Sequence, residues 1–303
     1  MDTVTETVSI IIPTRNRATV LKRCLEALAQ QHRNDYWCQL IVVDDCSTDG
    51  TDAVVRDYTL TSQISIELVR HSRALGANAA RNLGLGKATA EIIIFLDDDV
   101  LVTPNWLKTL IHGLRGSRCP VVSGPLKLLL EGQVPGRHGI EVRTLLSEVA
   151  QAPLGFKGEI VPVSGNMAAF RWVFDRARFD ESVRPPMEET DWLMRAGVSA
   201  GFVPEAWVWH YKPTEELRPR RLLRGAWSRG GEGGWWIRDR LGMPLVKRLP
   251  LAARSLQTCA RAIGHAALHR CWGGAVVAAG ELSKAASLLG LTNRGPRLPR
   301  SWR

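Results

Sequence analysis

Four apolar runs separated by helical patterns constrain the fold of this chain more than any other feature: "VSIIIP" (8–13), "QLIVVDD" (39–45), "ISIELV" (64–69) and "EIIIFLD" (91–97). Each is rich in Ile and Val and continuous, and the segments between them carry apolar residues at three- and four-residue spacing. Continuous β-branched runs suit strands buried on both faces, so the pattern predicts an α/β domain with a mostly parallel sheet flanked by helices. In open sheets of this kind ligands bind beyond the carboxyl ends of the strands. Those ends turn polar here: "PTRNR" (13–17), "DDCSTDGT" (44–51) and "DDD" (97–99). Three polar clusters are expected on one rim.

Beyond residue 115 the rhythm loosens. "CPVVSG" (119–124), "GEIVPVSGNMAAF" (158–170) and "FVPEAWVWH" (202–210) read as strands, and "MEETDWLMRAGVSAG" (187–201) reads as a helix opening on acids. The regular fold is expected to end near His210, giving a domain over 1–210 with halves 1–115 and 116–210. Residues 211–303 form a basic, partly helical C-terminal extension, with helices over 251–291 and a loose basic tail after them. Arg254, Arg261, His265, His269, Arg270, Glu281 and Lys284 interrupt the apolar stretches there, so no membrane span is expected.

Charge and cysteine content narrow the function classes. The net charge of +10 points to an anionic partner, and the basic excess is concentrated between Arg218 and Arg248. The six cysteines are scattered without metal-binding spacing and read as reduced thiols of a cytosolic protein. The opening "MDTVTETVS" is polar and acidic, so neither a signal peptide nor a transit peptide is expected.

Three adjacent aspartates, Asp97, Asp98 and Asp99, repel one another, and desolvating a carboxylate without a partner is costly. Either they stay solvated, one of them capping the helix in "TPNWLKTLIHGL" (103–114), or a hard divalent cation, Mg or Mn, sits among them. Asp44 and Asp45 in "VDDCSTDGT" suit Asx turns and helix caps, and equally a contact to a base N–H or a ribose hydroxyl. "GANAARNLGLG" (76–86) is neither a dinucleotide fingerprint nor a P-loop. It leaves Arg81 on a helix, either exposed or facing a phosphate or base.

In combination, "SIIIPTRNR", "IVVDDCSTDGT", "GANAARNLGL" and "IIIFLDDDV", in that order, resemble the N-terminal half of family 2 glycosyltransferases of the GT-A fold, over roughly residues 8–210. The resemblance implies transfer of a sugar from a nucleoside diphosphate sugar, a UDP- or dTDP-sugar, to a glycan or lipid-linked acceptor. It implies inversion at the anomeric carbon, and work of the kind done in polysaccharide biosynthesis. Carried onto this chain, it places Pro13, Thr14, Arg17, Asp44, Asp45 and Arg81 around the nucleotide. Asp97 and Asp98 fall at the ribose and sugar, and Asp99 at the metal, with Asp97 and His210 as further ligands. A metal there stabilises charge on the leaving group.

The same resemblance puts the general base in "MEETDW" (187–192), at Glu189, where similar proteins commonly have Asp, with Asp191 in reserve. Glu188, Trp192, Gly165 and Asn166 then fall on the acceptor side. Without the resemblance these acids read as first-turn residues complementing a helix dipole, "VSGN" as a plain turn and His210 as structural. Two rival functions remain: a metal-dependent nucleotidyltransferase, and a nucleic-acid binder using the arginines and tryptophans of 218–240. The rim acids oppose the second by repelling a polyanion. The extension is assigned to the substrate side, with cytoplasmic work or peripheral work at the inner face of a membrane.

Overall fold

The computed structural model describes residues 6–31, 36–61, 66–132, 143, 146–155, 159–269 and 272–292. Cys271 and the tail beyond residue 292 lie outside the described residues. The chain divides into two compact units, one of 1–129, 149–183 and 188–211, the other of 130–148, 184–187 and 212–303.

In the first unit β1 (Glu6–Thr14), β2 (Tyr36–Asp44), β3 (Ile66–Arg70) and β4 (Ile92–Leu96) fall on the four apolar runs. They pair in parallel in the order β3-β2-β1-β4, with Ile10 opposite both Leu40 and Ile94. β8 (Asn166–Phe170), β6 (Val121–Ser123) and β9 (Ala200–Phe202) continue that sheet, β8 running antiparallel to its neighbours β4 and β6. A second sheet holds β5 (Val100–Val102), β10 (Val208–Lys212) and β7 (Leu126–Leu130) in the order β5-β10-β7.

The pleat sends successive residues to opposite faces, and both faces are covered. Val8, Ile10 and Ile12 pack with α1 (Ala18–Ala29) and α4 (Trp106–Gly116). Ile11, Ile41, Ile93 and Phe95 pack on the other side with α3 (Ala77–Lys87), α5 (Trp172–Arg176) and α6 (Glu188–Ala196). Full burial of one such side chain contributes about 1.5–3 kcal/mol, which is why both faces of the strand are apolar. α2 (Thr51–Thr61) lies between β2 and β3 in sequence. α6 ends at Gly197, whose φ of 63° suits the residue after a helix.

Two predicted strands differ. Among the described residues of 158–170 only 166–170 joins the sheet, and 202–210 divides into the end of β9 and the start of β10. β5 was not expected, because three residues directly after three charges carry no readable period.

The second unit contains α7 (Pro219–Trp235), a π-helical turn (Trp236–Arg240), α8 (Leu245–His269) and α9 (Trp272–Leu288). α7 forms despite five glycines, each of which costs about 1 kcal/mol in a helix interior. The compensation is close packing on α9: a Cβ on Gly230 would lie 1.9 Å from the Gly280 carbonyl oxygen, and one on Gly234 2.7 Å from that of Lys284. Part of the basic excess is spent here. Arg238 donates to the carbonyls of Ser287 (3.0 Å) and Thr292 (2.9 Å), and Arg248 to that of Leu288 (3.0 Å), satisfying the open C-terminal end of α9.

Candidate active site at the carboxyl rim

The rim begins where β1 and β2 end, and its two loops are tied together by side chains. The backbone N–H of Asn16 donates to Ser47 Oγ (2.8 Å), and that of Thr48 to Asn16 Oδ1 (2.7 Å). Asn16 and Cys46 adopt positive φ in these turns. Arg17 stands at the N-cap of α1, a position that usually carries a short polar residue. Asp49 takes over that duty by accepting from the Ala18 N–H at 2.9 Å. The guanidinium is thereby left to the acids.

Arg17 reaches Asp98 Oδ1 at 3.2 Å and Asp99 Oδ2 at 2.9 Å. Thr14 Oγ1 donates to Asp98 Oδ2 at 2.7 Å. Burial pushes the Asp98 carboxyl well above the usual carboxylate range; Arg17 and the Thr14 hydrogen bond pull it down, and the Asp99 and Asp97 charges add to the rise. Immediately after the acids β5 pairs with β10, His210 opposite Val100, and the Tyr211 N–H donates to the Asp99 carbonyl at 2.8 Å. That pairing sets His210 Nε2 3.1 Å from Asp99 Oδ1, both side chains buried. Arg81 is buried rather than exposed, 3.3 Å from Asp97 Oδ1, and its Nε has no hydrogen-bond partner among the described residues.

Asp98 and Asp99 therefore turn inward, Asp97 is half-buried, and none of the three caps α4. The start of that helix is served by Gln31, whose Oε1 accepts from the Leu107 N–H at 3.1 Å. Cys24 lies beneath them, its thiol raised well above its ordinary value by burial and by the Asp98, Asp99 and Asp97 charges. Five cysteines, Cys24, Cys38, Cys46, Cys119 and Cys259, are free thiols.

A turn at 163–165 carries the rim across to α6. Ser164 donates to Glu189 Oε1 through its backbone N–H (3.1 Å) and its hydroxyl (2.6 Å). The next residue, Gly165, accepts from the Asp97 N–H at 3.4 Å, and a Cβ there would lie 2.7 Å from Asp97 Oδ2. Consecutive residues of one turn thus hold Glu189 and support Asp97. Ser164 was missed by sequence reasoning, because a serine before a glycine reads as ordinary turn chemistry.

Several expected placements are corrected by burial and internal bonding. Trp192 does not face an acceptor: it is fully buried, stacks on Phe174 and Phe179, and donates to the Ala177 carbonyl at 2.8 Å. Asn166 is also fully buried, accepting from Trp106 Nε1 (2.8 Å) and donating to the Ala206 carbonyl (2.8 Å). Asp191 accepts from Arg195 Nε at 2.7 Å, one turn along the same helix, which weakens its claim as reserve base. Glu188 is buried, whereas Glu189 is half-buried.

Asp44 and Asp45 serve the rim from within. Asp44 accepts from the Ser47 N–H (2.8 Å) in an Asx turn and lies 3.3 Å from Arg70. Asp45 accepts from the N–H groups of Leu75 (2.8 Å) and Gly76 (2.9 Å) and pairs with His71 Nδ1 (2.9 Å). These atoms, expected at a base, instead fasten the loop before α3. Pro13 is half-buried at the end of β1.

Burial alone would raise Asp45, but the hydrogen bonds from Leu75, His71 and Gly76, with the His71 charge, outweigh it and hold the carboxyl below its ordinary value. A depressed carboxyl stabilises the fold above its unfolded pKa of about 3.9, and that contribution is lost as pH falls through the lower native value. Asp45→Asn is expected to cost about 1.5–3 kcal/mol at neutral pH, since bonds to a charged group are removed. Urea midpoints from pH 7 down to pH 3 check this: the gap between wild type and variant should close toward the acid end.

The donor set at Asp99 and His210, a carboxylate oxygen beside an imidazole nitrogen, fits Mn or Mg in chemistry, with substrate phosphate and water completing the shell. Asp97 is directed to Arg81, and among the described residues no three His, Cys, Asp or Glu side chains are gathered to hold a metal ion. The expected three-residue ligand set is thus not assembled; Asp99 and His210 are adjacent and Asp97 stands apart.

The sequence model of the family described as "Glycosyl transferase family 2" matches residues 9–174. A pre-mycofactocin glycosyltransferase of Mycobacterium tuberculosis is 28% identical over 214 residues, covering 69% of this chain and 43% of its own. A Campylobacter jejuni GalNAc(5)-diNAcBac-PP-undecaprenol β-1,3-glucosyltransferase is 32% identical over 104 residues, 34% of this chain and 33% of its own. The chain spans less than half the length of these relatives. In fold it is similar to the mannosyltransferase PcManGT of Pyrobaculum calidifontis in complex with GDP-Man and Mn2+, with a TM-score of 0.53, 21% identity, and coverage of 73% and 64% of the two chains. The shared fold is GT-A.

Proposed function

This chain belongs to glycosyl transferase family 2 and is a glycosyltransferase, and from that premise we propose that it moves a sugar from a nucleoside diphosphate sugar to a hydroxyl of a glycan or lipid-linked acceptor, with inversion. The observation that carries the reading is the turn at 164–165, which holds Glu189 by Ser164 and supports Asp97 by Gly165. Inversion needs a base on the face of the sugar opposite the leaving group, and this turn joins a carboxylate on α6 to the acid edge of the donor rim.

In this reading Glu189 takes the proton of the acceptor hydroxyl, and the Ser164 bonds aim its carboxylate. Arg81 and Arg17 sit beside the acids, where a diphosphate would meet them; the unspent Nε of Arg81 supports that role. Thr14 and Pro13 border the nucleotide side. Asp99 and His210 would hold Mn or Mg, which when bound would supply charge stabilisation for the departing diphosphate. The Mn2+ and GDP-Man of the Pyrobaculum neighbour support a metal and a nucleoside diphosphate sugar. The undecaprenol-linked substrate in the Campylobacter relative's name supports a lipid-linked acceptor.

We further propose work on the cytoplasmic side, supported by the five free thiols, with peripheral membrane contact through the extension. No described helix is long and apolar enough to cross a membrane.

The test is product analysis with uridine, thymidine and guanosine diphosphate sugars in Mn. Release of nucleoside diphosphate, with a uridine or thymidine donor preferred, is the expected outcome. Release of pyrophosphate from a nucleoside triphosphate and a sugar phosphate would instead establish a nucleotidyltransferase.

A further inference from the structure

We propose that Arg17 competes with the metal for Asp98 and Asp99, and that a diphosphate relieves the competition by drawing the guanidinium away, so that nucleotide and metal bind cooperatively. The inference rests on the metal seat proposed above and adds the residue that governs when that seat is open.

The geometry sets up the competition. Arg17 touches both acids at once, 3.2 Å from Asp98 Oδ1 and 2.9 Å from Asp99 Oδ2. A divalent cation taken up by Asp99 has to share that carboxylate with a guanidinium. The two acids are buried, so water screens the repulsion between the cations poorly.

Each acid also has a second partner that is independent of Arg17. Thr14 Oγ1 donates to Asp98 Oδ2 at 2.7 Å, and His210 Nε2 lies 3.1 Å from Asp99 Oδ1. Thr14 and His210 are buried and stand on strands, β1 and β10. Withdrawal of Arg17 therefore leaves one contact on each carboxylate rather than none, which limits its cost.

Arg17 is the partner free to leave. Its side chain is 29% exposed, against 5% for that of His210. The surrounding loop is pinned without it: Asn16 is tied to Ser47 and Thr48, and Asp49 serves the start of α1. The guanidinium can thus turn outward about its own torsions while the backbone stays in place. Arg81 is the contrast. It is buried, held by Asn78 Oδ1 (3.1 Å) and Asp97 Oδ1 (3.3 Å), and lies over the Phe179 ring, so it remains a fixed cation of the rim.

A diphosphate offers Arg17 an equivalent partner, because the planar fork that matches carboxylates also matches phosphate oxygens. Once Arg17 has turned to it, Asp98 and Asp99 regain the negative charge that attracts a metal. By reciprocity, the factor by which nucleotide tightens metal binding equals the factor by which metal tightens nucleotide binding.

Titration of Mn into the full chain, with free Mn followed by electron paramagnetic resonance, tests this without any turnover. It is done without nucleotide and again with saturating uridine diphosphate. In wild type, uridine diphosphate should tighten Mn binding by at least about 100-fold. Arg17→Gln should bind Mn alone at least about tenfold more tightly than wild type. The tightening by uridine diphosphate should then shrink by the same factor. Mn should also raise the melting midpoint of Arg17→Gln more than that of wild type, since it neutralises the acids that Arg17 had neutralised. An arginine that only ties the fold together would lower the midpoint and leave the Mn increment unchanged. Arg17→Lys keeps a charge but lacks the fork that spans both acids, so it should show the same gain at smaller size; it carries the test should the glutamine variant not fold. Mn affinity without nucleotide at or below that of wild type in both variants, with Mn still tightening uridine diphosphate in wild type, would overturn the competition and leave the metal seat standing. Absence of any Mn effect on uridine diphosphate in wild type would remove the seat itself, and the proposal with it.

Discussion

Glu189→Gln is expected to lower the transfer rate by about 10²–10⁴-fold while leaving donor binding unchanged. Glutamine keeps the shape of the side chain and a carbonyl oxygen to accept from Ser164, so the turn at 163–165 should stay in place. What it loses is the ability to take a proton. Single-turnover rates and calorimetric titration of the nucleoside diphosphate separate the two effects. Asp191→Asn is the discriminating companion. Its carboxylate is already paired with Arg195, so its loss should act on stability more than on turnover. Normal turnover by Glu189→Gln, with turnover lost in Asp191→Asn, would move the base to Asp191.

Asp99→Ala should abolish the metal dependence of donor binding. Both oxygens of Asp99 are committed, Oδ2 to Arg17 at 2.9 Å and Oδ1 to His210 at 3.1 Å, so of the three adjacent aspartates it is the one set beside an imidazole. In wild type Mn should tighten nucleoside diphosphate binding by at least about 100-fold, from the several kilocalories per mole that a Lewis-acid contact supplies. In the variant the titration should be the same with and without Mn. Asp98 would lose a repelling neighbour and keep Arg17, so the fold should survive the change, as a melting curve will show. Persistent Mn dependence would shift the metal seat to Asp97 and Asp98.

The two substitutions probe opposite sides of one turn, and the turn is what sequence reasoning could not see. Ser164 has no pattern to announce it; it matters because it sits between Gly165, on which Asp97 rests, and a helix that begins more than twenty residues later. Asn166 and Trp192 show the reverse error. Polar and aromatic residues beside a candidate site read as ligand contacts, yet an amide and an indole can equally close internal hydrogen bonds in a packed interior. Only burial distinguishes the two. Likewise the glycines of α7 weigh against a helix by propensity, and the backbone contact with α9 that overrides them is a property of a pair of helices, not of either one.

By itself the sequence determined the four central strands, their parallel pairing through helices, and the rim on which polar residues gather. Those follow from periodicity and from the chemistry of strand ends, which are local along the chain. The tertiary structure decided which acids are satisfied and by whom. It brought His210 beside Asp99 by pairing β10 with β5, gave Arg17 to two carboxylates by letting Asp49 serve α1, and left one edge of α8 outside. The energies of these arrangements depend on distance and burial in three dimensions, and neither is carried by the order of residues alone.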